Sequence, residues 1–171
     1  MGHSTRPLEE FAALLSRNGV VLLIDVRTVP ASRRMPHFAK AALERSLPEL
    51  GIVYEHAPDL GGLRKPKPDS INTGWRNVSF RGYADYMQTG QFGAANEHLD
   101  DLARTRTTAI MCAEAVPWRC HRSLIADALT VRGVEVRHIT GPGAPSLHEM
   151  TSFALIDGGR ITYPAADTLP L

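Results

Sequence analysis

The sequence predicts an α/β domain in three layers, a mainly parallel sheet flanked by helices, with a C-terminal β-hairpin. Three observations carry that expectation. The runs Val20-Val21-Leu22-Leu23-Ile24 and Thr107-Thr108-Ala109-Ile110-Met111 are short and apolar without strict alternation, the pattern of strands buried on both faces. Segments of helical periodicity stand between the strand-like runs. Each run passes into a polar turn, and strands alternating with helices close into a parallel sheet wrapped on both sides.

The elements follow in order. Ser4 or Thr5 is expected to cap a first helix opened by Pro7, with Glu9 and Glu10 favoured by the dipole and Phe11, Leu14 and Leu15 on one face. That helix stops near Gly19, and the strand after it ends in Asp25-Val26-Arg27. A polar loop bounded by Pro30 and Pro36 leads to a helix over 39–50, stopped at Gly51, and to a strand over 52–56. Residues 58–79 are rich in Pro, Gly, Arg and Lys and lack either periodicity, so they are expected to form a long, mobile, ligand-responsive loop. Helices are expected over 83–88, 94–103 and 123–132, and a fourth strand of the same sheet over 134–139. Tyr83, Tyr86 and Met87 have the spacing of a core face. Residues 153–163, with Asp157-Gly158-Gly159 at their centre, have the form of a hairpin.

At 171 residues with 43% hydrophobic and 22% charged residues, the chain is expected to be one domain over 1–171 with its own core. A net charge of +1 speaks against a dedicated nucleic-acid coat or a polybasic membrane anchor, so anion binding must come from a local cluster of Arg. No apolar run approaches the roughly 20 residues of a membrane span, and Met-Gly-His-Ser-Thr-Arg-Pro has no apolar leader core. No membrane partner is expected, and the cytoplasm is the expected compartment. Two cysteines are too few for a disulfide scaffold and too few alone for a structural zinc site.

In parallel sheets ligands bind beyond the carboxyl ends of the strands. That rule gathers the loops 25–34, 58–79, 112–122 and 140–145 on one edge. Cys112 closes a strand there and Cys120-His121-Arg122 opens a helix, so helix N–H groups, Arg119 and Arg122 are expected to face one anion and to lower a thiol pKa. The bland reading, small thiols packed in the core, is weighed evenly against this. Cys112, Glu114 and Asp25 are the candidates for chemistry: Cys112 as a thiol, Glu114 as base or partner of an Arg, Asp25 as a strand-end carboxylate beside Arg27. Trp75 and Trp118 stand among arginines, an arrangement that stacks on a base while phosphate is neutralised, although each is equally suited to cover the core. Gly61-Gly62 permits close backbone approach to a ligand. Cys112, Glu114, Cys120 and His121 have zinc-ligand chemistry, but their spacing matches no standard zinc pattern, so no metal is expected.

Gly2-His3-Ser4-Thr5-Arg6, Asp25-Val26-Arg27 with Pro30 and Ser32-Arg33, Leu60-Gly61-Gly62, Tyr83-Ala84-Asp85-Tyr86-Met87 and the segment 111–127 together resemble the DUF488 family. The likeness runs over nearly the whole chain. It supports the fold and the site and names no reaction. Family members usually carry a short apolar strand before the Gly-His-Ser motif; the carboxyl end of such a strand would deliver His3, Ser4 and Arg6 to the ligand edge.

The expected function is binding of a phosphate-bearing or nucleotide-like small molecule, held by His3, Arg6, Arg27, Gly61, Gly62, Trp75, Trp118, Arg119, Cys120, His121 and Arg122, with thiol- or carboxylate-assisted catalysis. The alternative is a non-catalytic module for a nucleotide or single-stranded nucleic acid. A thiol redox protein ranks last, because seven residues separate Cys112 from Cys120. No cofactor is assigned by these residues.

Overall fold

The computed structural model describes residues 1–165. Three parallel strands, β1 (Leu22–Asp25), β2 (Val53–His56) and β3 (Thr108–Met111), lie in the order β2-β1-β3. Asp25 is level with His56 on one side and Met111 on the other, so the strands end on one edge. All four residues of β1 are buried, as a central strand covered on both faces requires.

Two apolar clusters show the layers. Leu23, Ala109 and Met111 pack with Phe11, Leu14 and Leu15 of α1 (Leu8–Arg17) and Leu43 and Leu47 of α2 (Lys40–Glu49). Leu22 and Ile24, on the other face, pack with α3 (Val78–Tyr86), α4 (Gly90–Thr105) and α5 (Arg122–Val131). Tyr83 and Tyr86 are buried in this second cluster, as their spacing predicts.

Two sequence expectations are corrected. The segment 134–139 does not join the parallel sheet: only Arg137–His138 forms a strand, β4, antiparallel to β5 (Ser146–Leu147). Its backbone partner is close in sequence, so pairing closes a short loop at small entropic cost, while Val134 and Val136 pack against the α3–α5 side of the core. The first helix is not capped by Ser4 or Thr5: Pro7 is the N-cap, with no side-chain bond to the helix. Residues 3–6 form a turn instead, with Arg6 N–H on the His3 carbonyl and Ser4 at φ 49°.

The predicted hairpin is present as β6 (Leu155–Asp157) and β7 (Arg160–Thr162). Gly158 and Gly159 have φ of 54° and 82°, the pair of positive values that a tight hairpin turn demands. The long segment after β2 opens with a 3-10 turn (Pro58–Leu60) and then stays irregular up to α3. Buried Asp85 holds it, accepting from Lys67 N (2.8 Å), Ser70 Oγ (2.6 Å) and Asn72 Nδ2 (2.8 Å).

Residues 1–4 run beside the end of β3. Gly2 bridges Cys112 in parallel, and His3 N and Ser4 N donate to the carbonyls of Cys112 and Ala113 at 3.0 Å. A Cβ on Gly2 would lie 1.8 Å from the Glu114 carbonyl oxygen, so only glycine permits this approach. The pairing delivers His3 to the carboxyl edge.

Candidate functional site

Beyond β3 the chain loops outward, makes a 3-10 turn (Pro117–Arg119) and returns at Cys120 to begin α5. This return brings together groups that are separated in sequence. Cys112 Sγ, Cys120 Sγ and a ring nitrogen of His121 lie within 4.8 Å of one another, with Cys120 Sγ 3.7 Å from His121 Nδ1.

His121 and Cys120 each have a partner that orients them. His121 Nε2 is 3.1 Å from the Val26 carbonyl; a carbonyl only accepts, so Nε2 carries the proton and Nδ1 turns its lone pair toward the sulfurs. Arg122 Nε donates to Cys120 Sγ at 3.4 Å, and its Nη2 donates to the Glu114 carbonyl. The neighbouring Cys112 favours the Cys120 thiolate against the cost of burial, and the Arg122 guanidinium adds to that preference. The neighbouring Cys120 sulfur, together with burial, pushes the Cys112 pKa up.

These groups line a cavity of about 420 Å³ with His3, Arg27, Gly62, Glu114 and Arg119. His3 stacks on Phe38 with ring centroids 4.3 Å apart. Its Nδ1 donates to the Ser4 carbonyl at 2.9 Å, which leaves Nε2 as acceptor 3.4 Å from Arg27 Nη1. Burial lowers the His3 pKa, so the ring is held neutral.

Arg27 is on the cavity wall but is largely engaged. Its Nε donates to Asp25 Oδ1 at 2.8 Å, and its Nη2 reaches Asp25 Oδ2 and the Phe38 carbonyl at 2.7 Å. Tyr54 OH donates to Asp25 Oδ2 at 2.7 Å. Asp25 thus has both oxygens occupied, is fully buried and does not line the cavity.

The other expected residues divide. Arg119 is exposed on the wall and makes no salt bridge or side-chain hydrogen bond among the described residues. Arg122 is 3% exposed and borders a second cavity, of about 380 Å³, between β3 and residues 134–139. Arg6 braces the N-terminal turn through the Gly2 and Thr140 carbonyls and Glu10. Trp75 packs against Phe80, Phe153 and Tyr163 with centroids 4.8, 4.9 and 5.6 Å away, off the cavity. Trp118 stands 71% exposed beside Arg119 and outside the lining. Gly61 packs on Thr28: a Cβ there would be 2.4 Å from Thr28 Oγ1.

The role of the Val26 carbonyl in orienting His121, and the place of Thr28 on the wall, have no signal in the sequence, because each depends on a contact with another loop. Gly62 has one, its glycine, and the reason is now visible. A Cβ on Gly62 would lie 2.4 Å from His121 Nδ1, so Gly62→Ala should push the imidazole off the sulfurs, with an overpacking cost of about 1–3 kcal/mol. Imidazole nitrogen chemical shifts of His121 should move strongly in a protein that still folds. Unchanged shifts would show that this contact does not set the ring.

The fold and site define an α/β protein with two thiols and an imidazole at the carboxyl edge of a parallel sheet. Residues 7–129 match the family described as domain of unknown function DUF488, and the chain belongs to that family. Comparison with curated proteins and with solved structures finds no match.

Proposed function

We propose that this chain binds a phosphate-bearing or nucleotide-like small molecule in the 420 Å³ cavity, with thiol- or carboxylate-assisted chemistry available to the bound ligand. The observation that supports this most is Arg119. Arg119 lines the cavity together with Cys112, Cys120 and His121 and makes no salt bridge among the described residues, whereas Arg27 and Arg122 are held by protein acceptors. A cleft of this size takes a small ligand, and a guanidinium reads phosphate by charge-assisted hydrogen bonds. Of the two expected carboxylates, Glu114 is the one on the cavity.

A nucleotide or single-stranded nucleic acid bound without catalysis is the second reading, favoured by the exposed Trp118 ring next to Arg119. Among the described residues no helix is long and apolar enough to cross a membrane. Two free thiols accord with the reducing cytoplasm as the working compartment.

Calorimetric titration with pyrophosphate and with a nucleoside monophosphate tests the proposal. Arg119→Ala should weaken binding by about 10-fold or more, as loss of a charge-assisted hydrogen bond worth roughly 1.5–3 kcal/mol implies. Affinity should fall with salt. Equal affinity in wild type and Arg119→Ala, or no heat of binding for either probe, would refute it.

A further inference from the structure

We propose that Cys112, Cys120 and His121 form a binding site for a thiophilic cation, specifically Zn²⁺, with two thiolates and one imidazole as ligands and a fourth position opening on the cavity. The spacing along the chain hides this site. One ligand lies at a strand end and two at a helix start, and the seven residues between the cysteines form a loop that turns back on itself.

The distances fit. Zinc bonds of ~2.3 Å to sulfur and ~2.0–2.1 Å to nitrogen, set at tetrahedral angles, put sulfur and nitrogen about 3.6 Å apart. Cys120 Sγ and His121 Nδ1 are 3.7 Å apart, and the whole trio lies within 4.8 Å, a span that small side-chain rotations close.

The outer partners fit as well. A metal-bound histidine donates its other ring N–H to a carbonyl or carboxylate, and bound thiolates accept from nearby N–H groups. Here His121 Nε2 donates to the Val26 carbonyl and Arg122 Nε donates to Cys120 Sγ. His121 and Cys120 are therefore pre-oriented before an ion arrives, which removes part of the ordering cost of binding.

Charge and softness select the ion. Two thiolates balance a dication, and a Cys₂His set without carboxylate suits zinc rather than the hard ions magnesium and calcium. Three protein ligands with an open fourth position is the arrangement that leaves room for water or a substrate atom. This inference goes beyond the phosphate-ligand reading and stands without it, because the ion needs no phosphate.

The test uses the full chain, reduced with a phosphine and stripped with a chelator, titrated with Co²⁺ and then Zn²⁺ in phosphate-free buffer. One equivalent of Co²⁺ should bring up the thiolate-to-cobalt charge-transfer band and the intense visible bands of a tetrahedral ion, and Zn²⁺ should displace it. Cys112→Ser and Cys120→Ser should each diminish the charge-transfer band, and His121→Gln should weaken binding by at least ~10–100-fold. Circular dichroism checks that each variant folds; if Cys120→Ser does not, Cys112→Ser, at a position only partly buried, decides. A weak six-coordinate cobalt spectrum without the thiolate band, or unchanged affinity in Cys112→Ser, would overturn the site. Because phosphate is absent, neither result bears on Arg119.

Discussion

Asp25→Ala is expected to lower the unfolding free energy by about 3–5 kcal/mol, the usual cost of removing one member of a buried ion pair. Asp25 is wholly buried and Arg27 is 6% exposed. Their two-pronged contact is completed by Tyr54 OH on the carboxylate and by the Phe38 carbonyl on the guanidinium. Without the carboxylate, a guanidinium charge is stranded between the sheet edge and the 3-10 turn Pro36–Phe38. The loss comes from the orphaned charge, so it should shrink when the charge goes too. Asp25→Ala combined with Arg27→Met should be more stable than Asp25→Ala alone. Urea unfolding of the wild type and these two variants measures both effects, and a loss below about 1 kcal/mol for Asp25→Ala would mean that water reaches Arg27.

The second large effect is expected at Asp127, which ties α5 to the C-terminal segments. Its Oδ1 accepts from His148 Nε2 (2.8 Å) and Thr151 N (3.0 Å), and its Oδ2 from Thr151 Oγ1 (2.7 Å) and Tyr163 OH (2.8 Å). Asp127→Ala leaves these donors without an acceptor, at about 1–3 kcal/mol for each one that stays buried. A total loss of about 3–5 kcal/mol is expected, with the segment 146–163 exchanging its amide hydrogens first.

Asp127 also sets an acid limit. Burial pushes its carboxyl up, but the bonds from His148, Thr151 and Tyr163 outweigh burial and hold the pKa below the ordinary aspartate value. A carboxyl whose folded pKa is depressed contributes stability that is fully present above the unfolded value, about 3.9, and that is lost as pH falls through the folded value. His138 acts in a higher window: burial first, and then the charge of His148, lower its pKa to about 4. The unfolded chain therefore takes up a proton near pH ~6.5 that the folded chain refuses until about pH 4, and stability falls between those values. Thermal melts against pH should show both declines, and Asp127→Asn should flatten the lower one. An unchanged acid limb in Asp127→Asn would remove the carboxylate from this role.

Most of the helices and the two apolar strands were legible in the sequence because they rest on local periodicity, whereas α3 begins at Val78, five residues before the expected 83. Leu22, Leu23 and Ile24 must be covered on both faces wherever the rest of the chain goes, and Phe11, Leu14 and Leu15 must share a helix face. The segment 134–139 was misread because a short, half-apolar run does not state its partner. Val136 carries apolar bulk into the core, yet its carbonyl accepts from His148 N at 2.8 Å, beside the antiparallel β4–β5 pair. The long loop after β2 was legible as irregular, but not the reason it is held. Asn72, fully buried, accepts from Tyr163 N at 2.9 Å across 91 positions of sequence.

For the site, the sequence alone determined that Cys112 ends a strand and that Cys120, His121 and Arg122 begin a helix, which is enough to put them on one edge. Only the tertiary structure decided which way the side chains face. Arg27 and Arg122 turn to protein acceptors, Trp75 enters an aromatic cluster with Phe153 and Tyr163, and Arg119 is left on the wall. His121 takes its orientation from a carbonyl 95 residues away. The physical reason is that an element's type follows from neighbours along the chain, whereas hydrogen bonds, ion pairs and ring contacts depend on distances of a few ångströms between segments that meet only once the sheet has formed.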